Sequence, residues 1–413
     1  MTRSEGYRIF VGIDWAVEAH QVWVTNDAGA RSGERVVPHT GADLVELADW
    51  LVKEAGGDAA AVAVALEVPR GPIVDTLLER GCHVFAINPK QLDRFRDRFS
   101  AAGAKDDRRD AHVLSSALRT DRTAFRQLEI DDPHVVELRE YSRQDSELGE
   151  ELRRLANRLR EHLLRIWPEL LHVVPAADER WLWALLALTP TPQEASRLRP
   201  RQVARLLREH QIRRFTADAL MPILRTPSVR LAPGVREGVR VRILDLVDQL
   251  RLIDRQRRQA ERRLAQAVEA IIDSEQIREH QDVAILQSLP AFGTRITATM
   301  LAEAARPLRN RDYHALRLLV GTGPVTKRSG KSCVVLMRYA CDHRLRTTVH
   351  HWASGCLQHD PLSRAHYKAL RGSGHSHGRA LRGVADRMLA VLIAMLKTQT
   401  RYDATQRRSR IAA

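Results

Sequence analysis

Cysteine and long apolar runs are both scarce in this chain of 413 residues. It has four cysteines and no signal-peptide pattern over residues 1–10, so a disulfide framework is not expected. The longest apolar stretches, such as residues 59–66, are far shorter than the ~20 residues of a membrane-spanning helix. We therefore expect a soluble, cytoplasmic protein that has no membrane partner.

Lysine is scarce as well, although positive charge is not. Only seven of the 66 basic residues are lysine, and 51 acidic residues oppose them, which gives a formal net charge of +15. The planar guanidinium of arginine donates two parallel hydrogen bonds and suits phosphate. This composition indicates a nucleic-acid partner, without separating DNA from RNA or from an acidic membrane surface.

The chain is longer than the size at which a single hydrophobic core stops growing. We expect an N-terminal domain over residues 1–130, a helical connector over 131–280, a C-terminal domain over 281–400 and a basic tail over 401–413. The first boundary is set by a change from mixed patterns to long amphipathic ones.

Strand-like and helix-like patterns alternate in the first 130 residues. Residues 8–13, 20–25 and 31–37 read as a three-stranded meander, and residues 61–66 and 82–87 read as buried strands between helices. The order β-β-β-α-β-α-β-α is that of an RNase H-like sheet with helices on its faces. Periodicity alone establishes only an α/β domain.

Apolar residues recur at heptad spacing in two segments of the connector. The repeating positions are Leu138, Leu152, Leu159 and Ile166 in the first segment, and Ile243, Leu250, Leu264 and Ile271 in the second. Arg257 interrupts the second row. Both segments are predicted to be long helices in coiled-coil register, paired either within one chain or between chains.

Four acidic residues stand where separate elements of the N-terminal domain begin or end. Asp14 ends the first strand, Glu67 follows a buried strand, and Asp107 and Asp110 lie three residues apart at the start of a helix. Carboxylates brought together repel one another unless a divalent cation neutralises them, so Mg²⁺ or Mn²⁺ is expected. The alternative is that these acids are helix caps, Asp106 or Asp107 among them.

A short segment before Gly293 resembles a helix-hairpin-helix. The run from Leu286 to Gly293 contains a Leu-Pro step and a glycine turn, followed by apolar residues at helical spacing. In such a motif the backbone N–H groups of the turn bind phosphate without reading bases. A plain helical hairpin with a glycine turn is the alternative.

Ser329 lies in a glycine-rich segment that we expect to be a loop. Its basic neighbours are Lys327, Arg328 and Lys331. A serine hydroxyl is a weak nucleophile, and cations that hold a phosphodiester and stabilise its transition state are what attack requires. The alternative is a phosphate-binding loop in which Ser329 only donates a hydrogen bond. Val325 stands where a P-loop requires glycine, which excludes an NTPase site.

The residues around the acids and the serine resemble one known family. Gly12-Ile13-Asp14, Glu67 before Pro69-Arg70-Gly71, and Lys105-x-Asp107-x-x-Asp110 resemble the DEDD signature of transposases related to the Piv DNA invertase, insertion-sequence family one-ten. The segments Leu289-Pro290 to Gly293 and Gly321-x-Gly323-Pro324 to Ser329-Gly330 resemble that family's second conserved region. The resemblance covers residues 7–125 and 282–370.

This resemblance implies a fold, a chemistry and partners. It implies a RuvC-like N-terminal domain whose metal ligands are Asp14, Glu67, Asp107 and Asp110, with Ser329 as the nucleophile that becomes joined to DNA. It also implies a bridge RNA whose loops pair with donor and target DNA, so that base pairing selects the sites. The chain departs from the family at Ala340-Cys341-Asp342-His343, where relatives carry a Lys/Arg-Gly-Asn step.

The resulting hypothesis is a nucleoid-associated recombinase that exchanges DNA strands through a phosphoserine, as a dimer or tetramer, with a site built from both domains. A second hypothesis is a metal-dependent nuclease that cuts branched DNA with Ser329 as a phosphate contact. A third is a non-catalytic nucleic-acid-binding scaffold whose acids are structural caps.

Overall fold

A computed structural model describes residues 6–99, 106–129, 132–226, 229, 232, 234–273, 277–330 and 332–405, and the side chains of these except those within 272–281. Lys105, Lys331 and residues 406–413 of the predicted tail lie outside the described residues. The chain divides into two compact units, residues 1–132 and 133–413. Within the described ranges, no helix combines the length and apolar character needed to cross a membrane.

The first unit is a six-stranded mixed sheet with helices on its faces. Its strand order is β3-β2-β1-β4-β5-β6. Strands β1, β4 and β5 are mutually parallel, whereas β2, β3 and β6 pair antiparallel to their neighbours. The elements are β1 (Ile9–Asp14), β2 (Ala19–Asn26), β3 (Arg31–Pro38), α1 (Gly41–Glu54), β4 (Val62–Leu66), α2 (Pro72–Glu79), β5 (His83–Ala86), α3 (Pro89–Arg96), α4 (Asp107–Thr120) and β6 (Arg126–Gln127).

Alternate residues of β1 face two separate cores. Ile9, Val11 and Ile13 pack with α1 and α2 on one side of the sheet. Phe10 packs on the other side, in a core that α3 and α4 also supply. Because side chains alternate along a strand, Gly12 and Asp14 belong to this second side. The central strand is therefore buried on both faces and presents its terminal acid toward α4.

The predicted mixed α/β character of this unit is confirmed, and the architecture is consistent with an RNase H-like domain. Two elements were missed. Helix α3 is short and mostly polar, and β6 has two residues. Neither is long enough to carry a recognisable periodicity.

The second unit is almost entirely helical. Its helices are α5 (Pro133–Ile166), α6 (Pro168–Val173), α7 (Arg180–Leu188), α8 (Pro192–Ala195), α9 (Pro200–Glu209), α10 (Ala217–Leu224), α11 (Val235–Asp273), α12 (Ile277–Ser288), α13 (Thr294–Glu303), α14 (Ala305–Arg309), α15 (Tyr313–Val320), α16 (His343–His359), α17 (Pro361–Gly372) and α18 (His377–Thr398). One antiparallel hairpin, β7 (Val325–Ser329) and β8 (Ser332–Leu336), interrupts them.

The two long helices predicted from the heptads pack against each other within the chain. Leu138, near the start of α5, shares a core with Leu264 and Ile271, near the end of α11. Leu159 shares another core with Ile243. The helices therefore run antiparallel. Coiled-coil register and pairing between chains stay predictions.

Candidate active site

Glycine at position 12 allows α4 to lie directly on the sheet. A Cβ on Gly12 would come within 2.6 Å of the Ser115 backbone nitrogen and closer still to the Ala111 carbonyl oxygen. The Ser115 hydroxyl donates to the Phe10 carbonyl at 2.8 Å, which ties the helix to the strand. The Gly12-Ile13-Asp14 motif thus brings the start of α4 next to the end of β1.

Asp14 and Glu67 lie at the same edge of the sheet. Ile13 pairs with Leu66 in the parallel register of β1 and β4, and each acid is the next residue along its strand. Asp14, Glu67, Asp107 and Asp110 are together called the acidic site below. Parallel packing of β1 and β4 supplies the first pair, and the close approach of α4 supplies the second.

Asp110 is buried and held by an arginine that sequence analysis missed. Its exposed fraction is 1%. Arg96, the last residue of α3, donates from Nε to Oδ1 at 2.6 Å and from Nη2 to Oδ2 at 2.8 Å. Arg96 also pairs with Asp93. Nothing in the arginine-rich sequence around Arg96 distinguishes it from its neighbours.

The pKa of Asp14 shows how the charges of the acidic site act on one another. Burial, followed by the charges of Asp110, Asp107 and Glu67 in that order, raises this pKa to about 6, while Arg96 opposes them. A carboxyl group surrounded by other carboxylates resists ionisation in this way. Asp14 is therefore close enough to the other three acids to feel their charge.

The acids share a region without converging on a point. Within the described ranges, no three acidic, histidine or cysteine side chains are close enough to enclose a metal ion. This absence is compatible with the raised pKa of Asp14, because charges act on one another over distances much longer than a metal–ligand bond of about 2 Å. The donor set still fits a hard divalent cation, since carboxylate oxygens are its preferred ligands.

The two aspartates of α4 and the residue before them differ in environment. Asp106 is the N-cap, and its side chain accepts a hydrogen bond from the Arg108 backbone, so the cap interpretation holds for this residue. Asp107 is exposed, whereas Asp110 is buried. The two aspartates, three residues apart on α4, therefore differ in their access to solvent.

Ser329 lies at the tip of the β7–β8 hairpin, and the loop predicted over this segment is wrong. Ser329 is the last residue of β7 and pairs with Ser332, the first residue of β8. Gly330 has φ +53°, which a two-residue hairpin turn requires. All described residues of the hairpin except Val325 are exposed, Ser329 included.

The basic neighbours of Ser329 are divided between the two faces of the hairpin. Lys327 shares the face of Ser329, because the two are separated by one residue of the strand. Arg328 lies on the opposite face, across from Cys333. Of the cations predicted to surround the hydroxyl, Lys331 lies outside the described residues, so Lys327 is the one that the geometry places beside it.

The segment that resembles a helix-hairpin-helix does join two helices. Residues 289–293 connect α12 to α13, and Gly293 is the N-cap of α13 with open space around its Cα. Its predicted contact with nucleic-acid backbone stays a prediction.

Two family models match the chain. Residues 11–168 match the IS110 DEDD model, described as a transposase, and this stretch contains the acidic site. Residues 283–368 match the model described as "Transposase IS116/IS110/IS902 family", which contains Gly293 and Ser329.

The chain is also similar to curated proteins. It is 49% identical over 247 residues to "Putative transposase y4uE" of Sinorhizobium fredii strain NGR234, spanning 59% of this chain and 68% of that protein. It is 32% identical over 408 residues to "Mini-circle putative transposase for IS117" of Streptomyces coelicolor A3(2), spanning 97% and 96%. "Insertion element IS110 uncharacterized 43.6 kDa protein" of the same organism is 27% identical over 412 residues. Matches to both models and over nearly the whole length show that this chain belongs to the IS110 family of DEDD transposases, enzymes that transfer DNA strands.

Proposed function

We propose that this transposase breaks and rejoins DNA through the Ser329 hydroxyl, assisted by a divalent cation at the acidic site. The observation that carries the metal site is the placement of Asp14 and Glu67 at the ends of adjacent parallel strands, next to the start of α4. The pKa of Asp14, raised to about 6 by burial and by three neighbouring carboxylates, agrees with it. Such crowding attracts a cation. The ligands would be Asp14, Glu67, Asp107 and Asp110. Mg²⁺ is the expected ion, with Mn²⁺ able to replace it.

The proposed chemistry is a reversible transfer of a phosphoryl group. The Ser329 oxygen attacks a phosphodiester, a phosphoserine bond forms, one bond from phosphorus to a nucleotide oxygen breaks, and the serine proton ends on the departing oxygen. A hydroxyl of the incoming strand later attacks the phosphoserine and restores Ser329. Lys327, on the same face, holds the phosphate by charge. A cation held by these acids would supply a Lewis acid that stabilises transition-state charge.

Site selection in this proposal is delegated to a guide RNA. The net charge of +15 is consistent with carrying an RNA as well as two DNA duplexes. The acidic site and Ser329 belong to different compact units. Both must reach the same DNA, within one subunit or between two, and exchange between two duplexes favours a dimer or tetramer. Residues 131–280 would connect the two catalytic domains.

One denaturing gel tests the serine. The purified protein, with its co-purifying RNA, is incubated with Mg²⁺ and labelled DNA that carries the ends of the element encoding it. A covalent protein–DNA adduct is expected, lost in Ser329→Ala and in Asp14→Ala. Ser332→Ala is the matched control, because Ser332 is the exposed serine paired across the hairpin.

Other outcomes reject the proposal. Free nicked DNA that survives Ser329→Ala but not Asp14→Ala indicates a nuclease, and binding without cleavage indicates a scaffold. An adduct lost in Ser332→Ala alone assigns the nucleophile to the other strand. Sequencing the co-purifying RNA tests the guide, since a structured species from the flank of the element is expected.

A further inference from the structure

Four arginines form a cluster at the open end of the β7–β8 hairpin: Arg338, Arg346, Arg379 and Arg382, here called the arginine cluster. Arg346 donates to the backbone carbonyl of Arg338. Arg338 in turn donates from Nε to the Gly323 carbonyl at 3.2 Å, which links the segments before β7 and after β8. Arg382 lies within 3.1 Å of the sulfur of Met337. The arginine cluster therefore lies at the open end of the hairpin, opposite the end that carries Ser329.

The arginine cluster crowds positive charge. Burial, and then the charges of Arg346 and Arg379, lower the pKa of Arg382, while Tyr339 opposes them. In the part of the chain that the structure describes, none of the four arginines has an ion pair, whereas nearby Arg317 pairs with Asp386 at 2.8 Å. The repulsion among these cations is relieved when an anion binds.

Arg346 is held in place by the loop that leads into the hairpin. A Cβ on Gly321 would lie 2.7 Å from Nη2 of Arg346 and 2.9 Å from the sulfur of Cys341, and Gly321 has φ +80°. Glycine at position 321 therefore allows both the positive φ of the turn and the close approach of the Arg346 side chain. The Nε atom of Arg346 is buried and has no hydrogen-bond partner among the described residues. Its guanidinium is fixed in place before any ligand arrives.

His350 lies next to the arginine cluster on α16. Burial lowers the pKa of His350, and the charges of His351, His377 and Arg382 lower it further, so this side chain is neutral near pH 7. Arg346 and His350 are one helical turn apart on α16, and Arg379 and Arg382 are a turn apart on α18. The positive charge at this place is therefore that of the four arginines.

We infer that the arginine cluster binds a backbone phosphate of the DNA strand that Ser329 attacks, a few nucleotides away from the scissile phosphate. The hairpin extends four residues from its open end to Ser329, about 14 Å at the rise of a β-strand. Duplex DNA advances about 3.4 Å per nucleotide. A strand lying along the hairpin therefore reaches both places. The choice of DNA as the ligand rests on the proposed function of Ser329, while the need for a polyanion rests on the cluster alone.

The salt dependence of DNA binding tests this inference. Fluorescence anisotropy with labelled duplex DNA gives the slope of log K against log salt for the wild type, Arg379→Gln and Arg382→Gln. Loss of one phosphate contact reduces the magnitude of that slope by about 0.9. Arg205→Gln is the charge-matched control, since Arg205 is exposed and already paired with Glu209 at 2.8 Å. Its slope is expected to match the wild type.

Thermal unfolding without nucleic acid separates binding from folding. Arg379 is exposed, and its removal relieves repulsion, so the melting temperature of Arg379→Gln should be equal to or higher than that of the wild type. A lower slope at an undiminished melting temperature supports the site. A slope equal to that of Arg205→Gln, or a change seen with duplex RNA but not with DNA, overturns it. If the adduct is lost in Ser329→Ala but the salt slope is unchanged in Arg379→Gln and Arg382→Gln, only this inference is rejected. If the adduct survives in Ser329→Ala but the salt slope falls in the two arginine variants, only the role of Ser329 as nucleophile is rejected.

Discussion

Arg96 holds both carboxylate oxygens of Asp110, at 2.6 Å and 2.8 Å, in the position where a metal ligand is proposed. The arginine therefore competes with a divalent cation for the same oxygens. We expect Arg96→Gln to bind Mn²⁺ more tightly than the wild type, because it adds one net negative charge to the acidic site. Isothermal titration with Mn²⁺ measures the change.

Arg94→Gln is the control for Arg96, since both arginines lie in the last turn of α3. Its affinity for Mn²⁺ should be close to that of the wild type. Weaker binding in Arg96→Gln would mean that Arg96 positions Asp110 for the ion rather than competing with it.

Gly12→Ala should separate α4 from β1. The new methyl group would overlap the Ala111 carbonyl and the Ser115 nitrogen, and backbone atoms cannot move aside as a flexible side chain can. Overpacking of this kind costs about 1–3 kcal/mol or more. Urea unfolding gives the value, and adduct formation should fall with it. Gly238→Ala, an exposed position in α11 with open space around it, should be neutral or stabilising.

The metal-free protein should lose stability as the pH rises through the pKa of Asp14. This pKa is raised from 3.8 to about 6, so the folded chain holds the proton more tightly than the unfolded chain. The associated stability is fully present below about pH 4 and is lost by about pH 6 to 7. Asp14→Asn should therefore stabilise the metal-free protein at pH 7 by about 1–2 kcal/mol, allowing for solvent screening, and have little effect at pH 4. Equal gains at both pH values, by urea unfolding, contradict this account.

Lys327 should matter more than Arg328 for adduct formation. Lys327 shares a face of the hairpin with Ser329, whereas Arg328 lies on the other face. We expect Lys327→Ala to lower the rate of adduct formation about tenfold or more, the scale of one lost charge-assisted contact, and Arg328→Ala to lower it less. Rates from quenched time courses on the same gel decide between them. Equal effects would mean that the hairpin twists to present both cations.

Asp145 of α5 and Arg257 of α11 form an ion pair between the two long helices. Asp145 is 6% exposed and accepts from Arg295 at 3.0 Å, with Arg257 at 3.5 Å. Asp145→Ala should cost about 3–5 kcal/mol, because it leaves arginines partly buried without a counter-ion. Urea unfolding measures this, and Glu151→Ala, at an exposed pair, should change it by less than about 1 kcal/mol. A small loss in Asp145→Ala would show that water replaces the carboxylate.

Sequence analysis predicted where the acidic residues lie better than it predicted which residues contact them. Asp14 and Glu67 were foreseeable, because acids that follow parallel strands share one edge of a sheet. Arg96 was not, because α3 is short and mostly polar and the contact of Arg96 with Asp110 depends on how closely α4 approaches β1. The heptads likewise predicted two helices, but only the packing shows that Asp145 lies beside Arg257.

The hairpin was missed for a different reason. Glycines at 321, 323 and 330 indicate turns, and β7 has no buried face to produce alternation of apolar and polar residues. Only the pairing of Ser329 with Ser332 shows that Gly330 turns a hairpin rather than belonging to a longer loop.

The exposure of residues 326–330 and 332–336 contrasts with the strands that present the acids, which are embedded in a core on either side. A substitution on the hairpin can alter how DNA is held with little effect on folding, whereas one beside the acids alters both together. If the proposed function is right, contact with DNA and folding stability can therefore be varied separately in the hairpin, but not beside the acids.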